Sequence, residues 1–128
     1  KDKTTDTFEK MTREGVGPDL VTFTVMLNAC SDLGLIEKGQ MFFCWMTVDH
    51  GLVPNVEHYT CMVDLFGRAG HFENAVAVVK KAPTSDYLPI WTSLLGACQK
   101  WGNVELGRLA FEHAISLDAK NVATYICI

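Results

Sequence analysis

Several features that would disclose chemistry are missing from this 128-residue sequence. Its five cysteines (Cys30, Cys44, Cys61, Cys98 and Cys127) are odd in number, and no two are spaced Cys-x-x-Cys. A secreted disulfide framework or a zinc site looks different, so free thiols acting as small core groups in a reducing compartment are the simpler reading. No run of ~18 apolar residues occurs, which excludes a membrane-spanning helix. The polar opening from Lys1 to Lys10 lacks the apolar core of a secretory signal. Basic residues are the minority, 11 Lys and Arg against 15 Asp and Glu, for a net charge of −4. That argues against a strong nonspecific grip on nucleic acid, which needs a basic surface to displace counterions. It leaves room for contact with a few nucleotides where neighbouring segments supply charge.

What is present is a repeat. Aligned on Phe23, Tyr59, Trp91 and Tyr125, the spacings are 36, 32 and 34 residues. Eleven residues after each of the first three lies a glycine: Gly34, Gly70 and Gly102. Then follow an apolar residue (Ile36, Phe72, Val104), a glutamate (Glu37, Glu73, Glu105), a small residue (Gly39, Ala75, Gly107) and a large apolar one (Phe43, Val79, Phe111). Leu27, Val63 and Leu95 stand one helical turn beyond the aromatic and share its face. The glycine ends this first helix. The apolar-Glu pair opens a second, its carboxylate near the positive helix N-terminus. The small residue lets the two helices of a hairpin approach closely. Pro18, Pro54 and Pro83 punctuate the gaps between units.

The pattern predicts an all-α fold: a right-handed superhelical solenoid of antiparallel helical hairpins. A second helix of a preceding unit is expected at about 3–14, and hairpins at about 20–50, 56–82 and 88–117. The last of these is expected to end near Asp118-Ala119, with another first helix beginning at Val122. Both ends fall mid-unit, so the natural protein is expected to continue in both directions.

Pro-Asp-Leu-Val-Thr-Phe-Thr (18–24) and Pro-Asn-Val-Glu-His-Tyr-Thr (54–60) resemble the opening of a pentatricopeptide repeat, as does Gly-Arg-Ala-Gly (67–70). The Trp-Leu-Gly order of tetratricopeptide repeats is not followed. The run from Ala29 to Gly39 looks like the long motif of the plant PLS subclass, and the run from Glu57 to Gly70 resembles its short motif. Trp91-Thr92-Ser93-Leu94-Leu95-Gly96-Ala97-Cys98 with Gly102-Asn103-Val104-Glu105-Leu106-Gly107 resembles the first E-type motif. The resemblance covers essentially the whole chain. It implies a second helix of a preceding repeat at 1–18, a long repeat at 19–55, a short one at 56–87, an E-type one at 88–121 and the start of another at 122–128.

What the resemblance implies for function is an organellar factor of mitochondrion or chloroplast that recognises sites of cytidine-to-uridine RNA editing. In such proteins one repeat faces one base of single-stranded RNA, read by two side chains. These are the fifth residue of the first helix and the last residue of the unit. In the first hairpin they are Thr24 and Asn55, a pair that by resemblance favours adenine. Val21 would pack on the base face, and Asp19 would be the last residue of the preceding unit. Read from the residues alone, Thr24 equally suits a backbone bond near a helix start, and Asn55 a turn after Pro54. The second hairpin offers Thr60 with Tyr87, where the family usually has an acidic residue or Asn. The third offers Thr92 with Asn121, in a motif class associated with protein contact.

The implied partners are single-stranded RNA and proteins of an editing complex, with neither DNA nor a membrane. The alternatives are a protein-interaction solenoid that recruits editing cofactors, or a structural subunit of an organellar RNA-protein assembly. No enzyme activity, metal or other cofactor is expected of this segment. His71-Phe72-Glu73 matches half of a zinc deaminase signature, but no Pro-Cys-x-x-Cys follows and Glu73 belongs to the glutamate column. His50, His58 and His113 read as solvated or capping residues. Lys80-Lys81 read as charges suited to a helix C-terminus, with phosphate contact as the other possibility. Trp45 and Trp101 fit either packing between repeats or a partner contact.

Overall fold

The computed structural model describes Lys10, residues 19–83 and residues 87–126. The helix expected at about 3–14 lies outside these but for Lys10, as does almost all of the proposed unit at 1–18. Among the described residues the chain is all-helical, with no strand. The helices are α1 (Leu20–Leu33), α2 (Ile36–Cys44), α3 (Val56–Arg68), α4 (Phe72–Lys81), α5 (Leu88–Trp101) and α6 (Val104–Ile126).

Local chemistry explains most of the boundaries. The Asp19 side chain caps α1 by accepting from the Thr22 N–H, and Asn55 caps α3 by accepting from the N–H groups of Glu57 and His58. Pro89 opens α5, where a missing N–H costs nothing. Gly34 and Gly102 end α1 and α5 at φ 71° and 72°, a left-handed conformation that side chains with a Cβ disfavour. α2 widens into a π-helical turn over Trp45–Asp49. There the Thr47 hydroxyl donates to the Phe43 carbonyl at 3.0 Å, competing with the helical ladder.

Three hairpins result: α1/α2, α3/α4 and α5/α6. Their first helices pack side by side, α3 lying between α1 and α5. The core runs along this row through Phe23, Leu27, Phe42, Val63, Leu65, Ile90 and Leu94, all essentially inaccessible. Close approach rests on small residues. A Cβ on Gly39 would run into the Leu65 side chain, and one on Gly107 would stand 3.3 Å from the Cβ of Cys98.

One expectation is corrected. The second helix of the third hairpin does not stop at Asp118-Ala119 to let a new one begin at Val122; α6 is helical through Ile126. The earlier second helices meet Gly51 or Pro83, whereas the stretch after Asp118 has neither glycine nor proline to interrupt the ladder. In α5 Leu94 is fully buried, while Leu95, on the face of Trp91, is half-buried against the core. Leu95 also borders a shallow cleft with Gly102 and Gly107.

Candidate nucleic-acid interface

The first helix of each hairpin begins at a capping position, and these positions carry the side chains singled out from the sequence. Asp19, Asn55 and Tyr87 are the residues immediately before α1, α3 and α5. Thr24, Thr60 and Thr92 follow within a turn or so, each hydroxyl donating to a carbonyl of its own helix: Leu20 at 2.8 Å, Val56 at 2.7 Å and Pro89 at 3.1 Å. The backbone reading of Thr24 therefore holds. That bond occupies only the hydroxyl proton and leaves the oxygen able to accept.

Thr24 and Asn55, 31 positions apart in sequence, are brought together through a third residue. His58 is fully buried. Its Nδ1 accepts the Asn55 N–H at 2.9 Å, and its Nε2 lies 2.8 Å from Thr24 Oγ1 and 3.2 Å from the Leu20 carbonyl. An Nδ1 that accepts an N–H carries a lone pair, so the ring proton is assigned to Nε2, facing Thr24. Asn55 Oδ1 accepts the N–H of Glu57 at 3.0 Å and of His58 at 3.3 Å, which orients the amide NH2 outward from an exposed residue. His58 was expected to be solvated or capping. It does cap, but from a buried position. The signal for it was legible: an N-cap residue followed three positions later by a side chain that reaches back is a capping box, here with histidine in the place of Glu or Gln.

The other candidates are less connected. Val21, two positions beyond Asp19, is an apolar side chain 69% exposed. Asp19 accepts from both the N–H and the hydroxyl of Thr22, at 2.9 and 3.0 Å, and these bonds hold its carboxyl below the usual range. Thr60 and Thr92 share a shallow groove with Asn28, Asp64 and Ser93, to which Thr24 does not belong. Tyr87 is half-buried, and its side chain makes no cap bond to α5. The Asn121 side chain lies outside what the structure describes.

The remaining features are mainly packing. Trp45 meets Phe42 edge-on, ring centroids 5.5 Å apart. Trp101 is half exposed, yet its indole N–H donates to the Gly67 carbonyl at 3.0 Å, a link between hairpins. His113 stacks on Trp91 with centroids 4.2 Å apart and planes 9° from parallel. His71 stands immediately before α4 with no side-chain bond to the helix end, and Glu73 sits in the first turn, as the repeat register implies. No described helix is long and apolar enough to cross a membrane.

A row of two-helix units joined through their first helices, with polar side chains aligned at the helix starts, defines an α-solenoid repeat protein. Sequence comparison gives the family. A model described as pentatricopeptide repeat domain matches residues 1–33, and one described as PPR repeat matches residues 21–48 and 57–85. The chain belongs to the pentatricopeptide repeat family. Among similar proteins of Arabidopsis thaliana is the chloroplastic pentatricopeptide repeat-containing protein CRR2, 43% identical over 94% of this chain and 18% of that protein. A mitochondrial pentatricopeptide repeat-containing protein is 39% identical over 94% of this chain and 20% of its own length. Another, 45% identical, is matched over 93% of this chain and 24% of its own length. The chain thus spans under a quarter of the curated relatives it matches.

Proposed function

We propose that this chain is an RNA-binding segment of an organellar pentatricopeptide repeat protein of the PLS subclass, one that recognises sites of cytidine-to-uridine editing. In this reading residues 19–55 form a long repeat, 56–87 a short repeat and 88–121 an E-type repeat. Thr24 and Asn55 contact one base, Val21 supports its face, and Asp19 and Thr60 contribute to the neighbouring positions. The observation that carries it is the linked Thr24–His58–Asn55 constellation, which leaves an outward amide donor and a hydroxyl acceptor beside the exposed Val21. Chloroplastic and mitochondrial relatives support an organellar location.

The test is selection of single-stranded RNAs from a random pool by the full-length protein. Thr24→Ala and Asn55→Ala should each relax the preference at the same single nucleotide, by about two- to tenfold, the range for one net hydrogen bond. The competing reading is a protein-contact segment, favoured by α6, which exposes Leu109, Phe111 and Ile115 by just over half. It is the one left standing if both variants select RNA as the wild type does.

A further inference from the structure

Resting on that reading, we propose that His58, a residue of the second hairpin, is a positioning residue for base recognition by the first. It dictates what Thr24 and Asn55 present to a ligand. The donors and acceptors of both side chains are nearly all committed. Thr24 has one proton to donate, and it goes to the Leu20 carbonyl. Of its two lone pairs, one receives the His58 Nε2–H, so the half-buried hydroxyl faces a ligand purely as an acceptor. Asn55 spends its side-chain oxygen on two backbone N–H groups, so its amide faces a ligand purely as a donor.

Together they form a site with one acceptor and one donor, complementary to a nucleobase edge that places a donor beside an acceptor. An adenine amino group next to its ring nitrogen is such an edge. Without the imidazole the hydroxyl could rotate and offer its proton outward, and the Asn55 backbone would lose the acceptor that holds it at the end of the unit. Because each ring nitrogen serves a different member of the pair, the two readers are coupled. A buried group with both nitrogens committed resists reorientation, since an unsatisfied buried donor or acceptor is expensive.

The role is separable from that of a helix cap. Glutamine in place of His58 can bring an amide N–H2 near the position of Nε2, keeping a donor for Thr24. Asparagine, being shorter, can reach only the position of Nδ1, keeping an acceptor for Asn55. Leucine keeps neither.

The experiment measures binding of the full-length protein to four short single-stranded RNAs that differ only at the nucleotide identified by Thr24→Ala and Asn55→Ala. Circular dichroism and thermal unfolding establish that each variant is folded. His58→Leu should lower the preference for the favoured base about tenfold while changing affinity for the other three by less than about twofold. His58→Gln should keep more of that preference than His58→Asn. A uniform loss across all four RNAs would reveal a scaffold role alone and overturn the inference, as would unchanged selection by His58→Leu. If the leucine variant does not fold, the Gln–Asn comparison decides, and equal or reversed preference sinks it. Should Thr24→Ala and Asn55→Ala shift no nucleotide at all, the RNA reading itself fails and this inference goes with it; selection sensitive to those two but not to His58 removes only the inference.

Discussion

At the scale of single residues, the thiols show how burial sets reactivity. Cys61 Sγ donates to Asn28 Oδ1 at 2.8 Å from a buried position. Burial above all, then the nearby carboxylates of Asp64, Glu57 and Asp32, pushes this thiol up to about 11 from an ordinary 9.0. Burial also raises Cys98, whereas Cys44 is exposed. The reactive species is the thiolate, roughly one in a thousand for Cys61 at pH 8. Alkylation of the folded protein at that pH should therefore modify Cys44 well before Cys30, Cys61 or Cys98, as read by peptide mass spectrometry; Cys61 labelled as fast as Cys44 would contradict this. The same shift has a sign for stability. The folded state favours the protonated thiol, so its contribution is complete below about pH 9 and drains away as pH rises through about 11.

At the scale of elements, α3 and α5 touch through a pair of small residues. A Cβ on Gly67 would stand 2.6 Å from the Cβ of Ala97, which has no flexible end to move aside. Overpacking of this kind costs about 1–3 kcal/mol and outweighs the helix-propensity gain of up to about 1 kcal/mol from replacing glycine. Gly67→Ala should thus lower the unfolding midpoint in denaturant, while Gly96→Ala on the same pair of helices, facing open space, should raise it. Opposite results would mean that the first helices are not closely packed there. Most helix boundaries were legible because each unit carries its own stop signals, Gly34, Gly102, Gly51 and Pro83 among them. After Asp118 such a signal is missing, and α6 runs on past the end that the repeat implies. The π-helical turn was not legible, since Thr47 competes with the ladder only once the helix exists. As proposed base contacts, Thr24 and Asn55 followed from the resemblance to the pentatricopeptide repeat. The imidazole that joins them did not, because His58 reaches Thr24 only after α3 has docked against α1.

At the scale of the whole row, one carboxylate ties the three first helices together. Asp64 on α3 accepts from Ser31 of α1 at 2.6 Å and from Ser93 of α5 at 3.4 Å, and Arg68 Nε lies 2.9 Å from it. Arg68 is also 3.8 Å from Asp32 on α1, but this outer contact is exposed and contributes little. Ser31 is buried, so removing its acceptor costs about 1–3 kcal/mol. In a solenoid, stability is a sum of unit and interface terms. Asp64→Ala should therefore lower the melting temperature by about 4 °C or more and also broaden the transition, as the hairpins begin to unfold separately. A transition as sharp and as high as that of the unaltered chain would show that the hub does not couple them.

If Asn55 reads a base as proposed, its second duty as the cap of α3 limits how such a protein can be retargeted. Any replacement intended to change what is recognised also rewrites the start of α3. Serine and aspartate still satisfy the helix end, whereas alanine or leucine forfeit about 0.5–2 kcal/mol there. The vocabulary open to a designer at this joint is thus confined to short polar side chains, before any nucleotide has been considered.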